Sequence, residues 1–295
     1  MVDNRIKVEE IKNALSNSGY FLETRVLSAL HKKKYTNIPN STYPDKITGK
    51  SRELDIYSES ERITENLELN HYLHFEFQHR MIIECSNNPQ PVVFFKRPDR
   101  NTYTIFEKFK YSKIEREIAN YKQGPTPDYI FHDFTTSSKE FHYNQFLTNT
   151  QYCSFIQKKT KEKNWMASHP DGLHDTFNKL FDCTSHKIEK FREWMPKSAW
   201  RNDVFVLILF PVLILQNKLF EANEVEGKVD LEEKKHVLFE FNRYTESPES
   251  LLIDIITEDY LDTFVDLIIK DVTNLKNVYV DYYKSKKIKA ANSAS

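Results

Sequence analysis

A chain of 295 residues, 39% hydrophobic and 14% aromatic, can bury a large core, which excludes a disordered segment. Its net charge of −1 leaves no overall field of either sign, so composition alone selects no charged partner. Three cysteines, Cys85, Cys153 and Cys183, cannot build a disulfide framework and suit a reducing, cytoplasmic setting.

The opening residues MVDNRIKVEE carry no apolar stretch, so no signal peptide is expected. The most apolar run, VFVLILFPVLIL at 204–215, is too short to span a bilayer and is interrupted by Pro211. It reads as a buried strand pair, with no membrane association. Charge is spread unevenly. Residues 86–122 hold eight Lys/Arg against four Asp/Glu, 155–201 hold ten against six, and 221–266 hold four against fourteen. Such a chain can present phosphate with a basic face while an acidic lobe points away.

Val8, Ile11 and Leu15 recur at helical spacing, and Ser16–Gly19 ends that helix. A second helix, about 20–33, carries Leu22, Val26, Ala29 and Leu30 on one face. After the turn-rich YPDKITGK (43–50), RELDIYS (52–58) alternates Leu54 and Ile56 with Asp55 and Tyr57, as a half-buried strand does. YLHFEFQ (72–78), MIIECS (81–86) and PVVFF (91–95) are further strands. Helical patches are predicted near 105–122 and 174–195. Strands follow at 204–210 and 212–215, then LFEA (219–222), HVLFEFN (236–242) and LLIDIIT (251–257). Thr257 caps a last amphipathic helix, about 258–275, and the tail after Lys284 is expected to fray.

Three acids stand where acids are disfavoured. Glu23 lies among Leu22, Val26 and Leu27, Asp55 sits inside an apolar strand, and Glu84 directly follows Met81-Ile82-Ile83. Strand interiors are depleted in Asp, and an unpaired buried carboxylate is costly. A hard divalent cation removes that cost, and carboxylates converging at strand ends make a usual Mg²⁺ site. Other readings are plainer: Glu23 as a first-turn acid favoured by the helix dipole, Asp55 on a solvent-facing pleat, Glu84 as a strand-end ion-pair partner. His169, His174, Cys183 and His186 offer irregular zinc-like spacings. Cys85 reads as a packed strand cysteine. With neither GxxxxGK[ST] nor GxGxxG present, P-loop chemistry is not expected.

GYFLETRVLSAL, then SRELDIYSE, then MIIECSNNPQPVVFF, resembles the PD-(D/E)XK superfamily of restriction-endonuclease-like proteins across about residues 18–97. The resemblance implies an α/β fold with a mixed central sheet flanked by helices. It divides the chain into a first part of a nuclease-like core (1–97), a mainly helical insertion (98–203), C-terminal strands and helix completing the core (204–283), and a tail (284–295). It implies Asp55 and Glu84 as ligands of Mg²⁺, for which Mn²⁺ can substitute, with the Cys85 carbonyl as a third ligand and Glu23 as a further one. It also implies a metal-dependent nuclease, with DNA as substrate, in restriction or phage defence, acting with a second copy or a protein partner.

One departure stands out: the family's lysine position holds Ser86. Serine carries no positive charge, so transition-state stabilisation falls unless another cation substitutes. Lys96 and Arg97 are the candidates, with Gln78 and His79 behind them. Lys96, Arg97, Lys158 and Lys159 are also candidate nucleic-acid contacts, the last two from the KKTKEK run. Without a substitute, the chain would be a catalytically degenerate nuclease fold that binds nucleic acid or protein.

Overall fold

The computed structural model describes residues 6–16, 18–45, 48–68, 72–97, 111–115, 127–157, 164–194, 203–244 and 248–292. Helices α1 (Val8–Ser16) and α2 (Tyr20–Lys32) precede a hairpin of β1 (Thr36–Pro44) and β2 (Ser51–Glu59). In the hairpin turn the Asp45 carboxylate accepts from the Thr48 N–H, and Gly49 takes φ +67°, which suits a residue without a Cβ. β3 (Ile63–Glu68), β4 (Tyr72–Ser86), β5 (Val92–Lys96) and β6 (Tyr111–Glu115) follow. Next come α3 (Pro127–Ser137), β7 (Thr148–Gln157), β8 (Trp165–Ser168) and α4 (Asp171–Trp194). The chain closes with β9 (Asp203–Leu215), β10 (Leu219–Val225), β11 (Lys228–Lys234), β12 (His236–Tyr244), β13 (Pro248–Thr257) and α5 (Leu261–Asn292).

The fold is α/β, with a large mixed sheet ordered β1-β2-β4-β9-β13-β12-β7-β5-β10-β11. Its axis is the parallel pair β4 and β9, in register from His74–Asp203 to Ser86–Leu215. One half of this pair is flanked by β3 and β6, the other by β2 and β13.

Both strands are longer than the sequence patterns indicate. VFVLILFPVLIL forms one strand, not two, because Pro211 falls between the residues paired with β6 (204–208) and those paired with β13 (212–215). A missing N–H is tolerated there. Alternate residues of β9 enter opposite cores: Val206, Ile208, Phe210, Val212 and Ile214 one, Leu207, Leu209, Leu213 and Leu215 the other. Burial on both faces is what makes the run continuously apolar. YLHFEFQ and MIIECS likewise form the single strand β4.

The first core lies under α2, α3 and α5, and the second under α4. α5 buries Leu261, Phe264, Val265, Ile268, Val272, Leu275 and Tyr279, an i, i+3, i+4 stripe, against the first core. It starts after a 3₁₀ turn at Glu258–Tyr260 and runs to Asn292, beyond the expected helix end and through most of the expected frayed tail. Thr257 makes no side-chain cap bond to it. Of the helical patch expected at 105–122, the described residues 111–115 are strand β6. Between 98 and 203 the described residues hold α3 and α4 and also β6 and β7, which are members of the main sheet.

A polar network is sealed inside the first core. His142 donates or accepts through both ring nitrogens, Nδ1 with Asp271 Oδ2 on α5 and Nε2 with Asp254 Oδ1 on β13 at 3.3 Å. Tyr143 donates to Asp254 Oδ2 (2.8 Å), and His236 Nε2 lies 2.8 Å from Asp254 Oδ1. The two aspartates outweigh the cost of burial and push His142 up to about 9, while Asp254 is held well below the usual carboxylate range by the two histidines.

Candidate functional site

The regular pairing of β2 with β4 runs from Glu59–Arg80 to Ile56–Ile83. Beyond it the ladder gives way to side-chain bonding: Asp55 Oδ2 accepts from the Cys85 backbone N–H at 2.8 Å. The local alternation changes at the same point. Leu54 packs into the second core and Ile56 into the first, so the expected single apolar face of β2 is split around Asp55. Asp55 is thereby turned toward the end of β4, beside Glu84.

Glu84 is 3% exposed, and its Oε1 has no hydrogen-bond partner. Its other oxygen accepts from Lys179 Nζ on α4 at 3.1 Å. Burial, then the Asp55 charge, push the Glu84 carboxyl up to about 8, against the lowering pull of Lys179. Asp55 is also raised, chiefly by burial, while the Cys85 N–H and Lys179 favour its ionised form. Glu23, half-buried in the first turn of α2, is raised by burial and by the charges of Asp55 and Glu53. The Cys85 thiol is pushed well above its ordinary value by burial and the surrounding carboxylates, and it packs against the first core. A thiol so placed is a poor nucleophile.

These contacts bring Asp55, Glu84 and Lys179 into one cluster, with Glu23 near enough to be felt electrostatically. They do not bring three acids into a ready cage: among the described residues no three His, Cys, Asp or Glu side chains are grouped to hold a metal ion. The donor chemistry still fits a hard dication. Glu84 offers an orphaned buried oxygen and Asp55 a neighbouring carboxylate. The Cys85 carbonyl faces the same way as its N–H, toward Asp55, because both groups of a strand residue point to one side. Accordingly, the carbonyl of the next residue, Ser86, faces β9 and accepts from the Gln216 N–H at 3.0 Å. The Ser86 side chain shares the pleat face of Glu84, as their spacing of two requires.

The expected substitute cations lie elsewhere. β5 stands five positions from β4 in the strand order, and its lysine is engaged there. Lys96 is paired with Glu221 at 2.9 Å, and Arg97 lies 3.6 Å from Glu240. Gln78 and His79 precede Glu84 by five or six residues, roughly 17–20 Å along β4. Gln78 donates to the Ser60 carbonyl, and His79 is buried against the Tyr35 hydroxyl. Lys158 and Lys159 lie outside the described residues. His169, His174, Cys183 and His186 form no metal group; His169 instead lies against the Tyr152 ring.

Lys179 is the residue that sequence reading missed. It sits between Phe177 and Leu180, which enter the second core, and the Tyr43 hydroxyl donates to its carbonyl at 3.1 Å. A lysine bordering the apolar face of a helix was the only available signal, and most such lysines cover a surface.

The site lies at the carboxyl ends of β4, β9 and β13, the edge where open α/β sheets bind ligands. A cavity of about 560 Å³ opens along this edge, lined by residues including Gln216, Lys218, Lys235 and Thr257. Glu233, Glu258 and Asp259 line it too, so the acidic 221–266 stretch does not point wholly away from the site. No helix among the described residues is long and apolar enough to cross a membrane. Comparison of the chain with protein-family models, with curated proteins and with solved structures finds no match.

Proposed function

We propose that the chain is a metal-dependent phosphodiester hydrolase whose site is Asp55, Glu84 and the Cys85 carbonyl, with Lys179 as its cation. The observation that carries this reading is the buried carboxylate Glu84, with one oxygen unpartnered and the other held by an ammonium group. A protein keeps such a costly group when something else binds it. Mg²⁺ or Mn²⁺, when bound there, supplies Lewis acidity that lowers the pKa of a water and polarises phosphate oxygens. The chain's own part is to hold two carboxylates side by side, to keep water from Glu84, and to keep a positive charge where negative charge develops on the phosphate. Lys179 thus fills the role that Ser86 cannot. Glu23 would act at the rim, through water.

The sequence resemblance supports DNA as the substrate and a cytoplasmic defence setting, with a second copy or a protein as partner. A degenerate, non-cutting relative is the second reading, favoured by Ser86. The test is cleavage of supercoiled plasmid with Mg²⁺ or Mn²⁺ by wild type, Asp55→Ala and Lys179→Met. Cutting by wild type, lost in Asp55→Ala and reduced at least about 100-fold in Lys179→Met, is the expected result. Cleavage that survives Asp55→Ala would overturn the mechanism, and an inert wild type that binds metal would favour the degenerate reading.

A further inference from the structure

Lys179 raises a question that the nuclease reading leaves open. Its ammonium occupies Glu84 Oε2, beside the orphaned Oε1 that a dication would take. Two cations cannot share that carboxylate without strong repulsion, since the charges would stand within a few ångströms of each other. That repulsion favours release of one of them, and the two are held differently. The Glu84 carboxylate is fixed in the interior of β4, with its side chain 4% exposed, whereas the Lys179 side chain is 34% exposed. The α4 backbone at Lys179 is pinned by the Tyr43 hydroxyl and by Phe177, Leu180 and Cys183 in the second core. The four-carbon stem can therefore swing while the helix stays in place.

We propose that Lys179 is an exchanging cation: it holds Glu84 Oε2 in the metal-free site and passes to a backbone phosphate of bound nucleic acid when a dication takes Glu84. The proposal rests on the hydrolase reading above and adds an order of events to it. In the metal-free state the Lys179 contact keeps the buried Glu84 from standing alone. Metal entry releases the ammonium, so the positive charge reaches the phosphate only in a site that can use it. Phosphate affinity is coupled to metal occupancy through one side chain. Coupling of this kind is reciprocal, so nucleic acid that engages Lys179 should also tighten the metal.

The test uses the full chain with two probes: Mn²⁺ alone by calorimetric titration, and a short DNA duplex with Ca²⁺ or with EDTA, followed by fluorescence anisotropy. Removing the ammonium in Lys179→Met removes the competitor, so Mn²⁺ should bind about tenfold more tightly, the size of one charge-assisted hydrogen bond. Lys179→Arg keeps the charge and should bind Mn²⁺ like wild type. DNA affinity should fall in Lys179→Met with Ca²⁺ present, and its salt slope should drop by about one, yet with EDTA the variant should match wild type. Mn²⁺ binding in Lys179→Met equal to or weaker than wild type overturns the exchange. So does a DNA defect of the same size with and without Ca²⁺. If neither wild type nor Lys179→Met binds Mn²⁺, the metal site itself fails and the exchange falls with it, a result distinct from a metal that binds both equally.

Discussion

Asp271→Asn offers the sharpest test of the buried network in the first core. His142 is fully buried between Asp254 and Asp271, and Tyr143 and His236 complete the polar groups facing it. Its folded pKa of about 9 stands above the ordinary value of 6.5. A raised histidine contributes stability that is fully present below pH 6.5 and is lost as pH rises through 9. At 1.36 kcal/mol per pH unit, the gap corresponds to about 3 kcal/mol at pH 6 and almost nothing at pH 10. Breaking one partner of a buried pair costs a similar amount, about 3–5 kcal/mol. Asn preserves the shape of Asp271 but removes one of the two charges that hold the proton on His142. The variant should therefore melt roughly 5 °C below wild type at pH 6, with the difference shrinking toward pH 10. Thermal unfolding by circular dichroism, in EDTA, at pH 6, 8 and 10 reads this directly. A difference that stays constant across that range, or a variant as stable as wild type at pH 6, would refute the charged-histidine account.

Other outcomes follow from the candidate site and the core. With Lys179 already at Glu84, Ser86→Lys should change plasmid cleavage by less than about threefold, since the charge it adds duplicates one present; a large gain would show that Lys179 does not serve. Glu84→Gln should abolish cleavage yet raise the melting temperature in EDTA at pH 8–9. The carboxyl has a folded value of about 8 against 4.5 unfolded, so its ionisation opposes folding increasingly across that interval; a lower melting temperature there would contradict the burial argument. Phe264→Ala empties a fully buried position in the first core and should cost about 3–5 kcal/mol in urea unfolding, with no change in the metal affinity of the Glu84 site.

Much of the architecture was legible in local patterns. α2 announced itself through Leu22, Val26 and Leu30, and the α/β class through alternating strand and helix periods, because burial of one face imposes those periods on the sequence. Asp55 and Glu84 were visible for the complementary reason: a charge inside an apolar strand is costly, so its presence there is informative. Element boundaries in the central pair were not legible. Pro211 and the polar His79-Arg80 step look like breaks, and only the neighbours of β4 and β9 show that both are accommodated within single strands. β6 could not be read as a strand, since Tyr111–Glu115 gains its pairing from β9, about 90 residues later in the chain. The cation at the site was hidden for the same reason. Lys179 lies 95 residues from Glu84, and no spacing rule links a helix lysine to a strand carboxylate at that distance. Composition and periodicity determined which residues are buried and which buried acids are out of place, because those are local energies. Which cation answers Glu84, and that Lys96 does not, was decided only when the fold set α4 over β4 and paired Lys96 with Glu221.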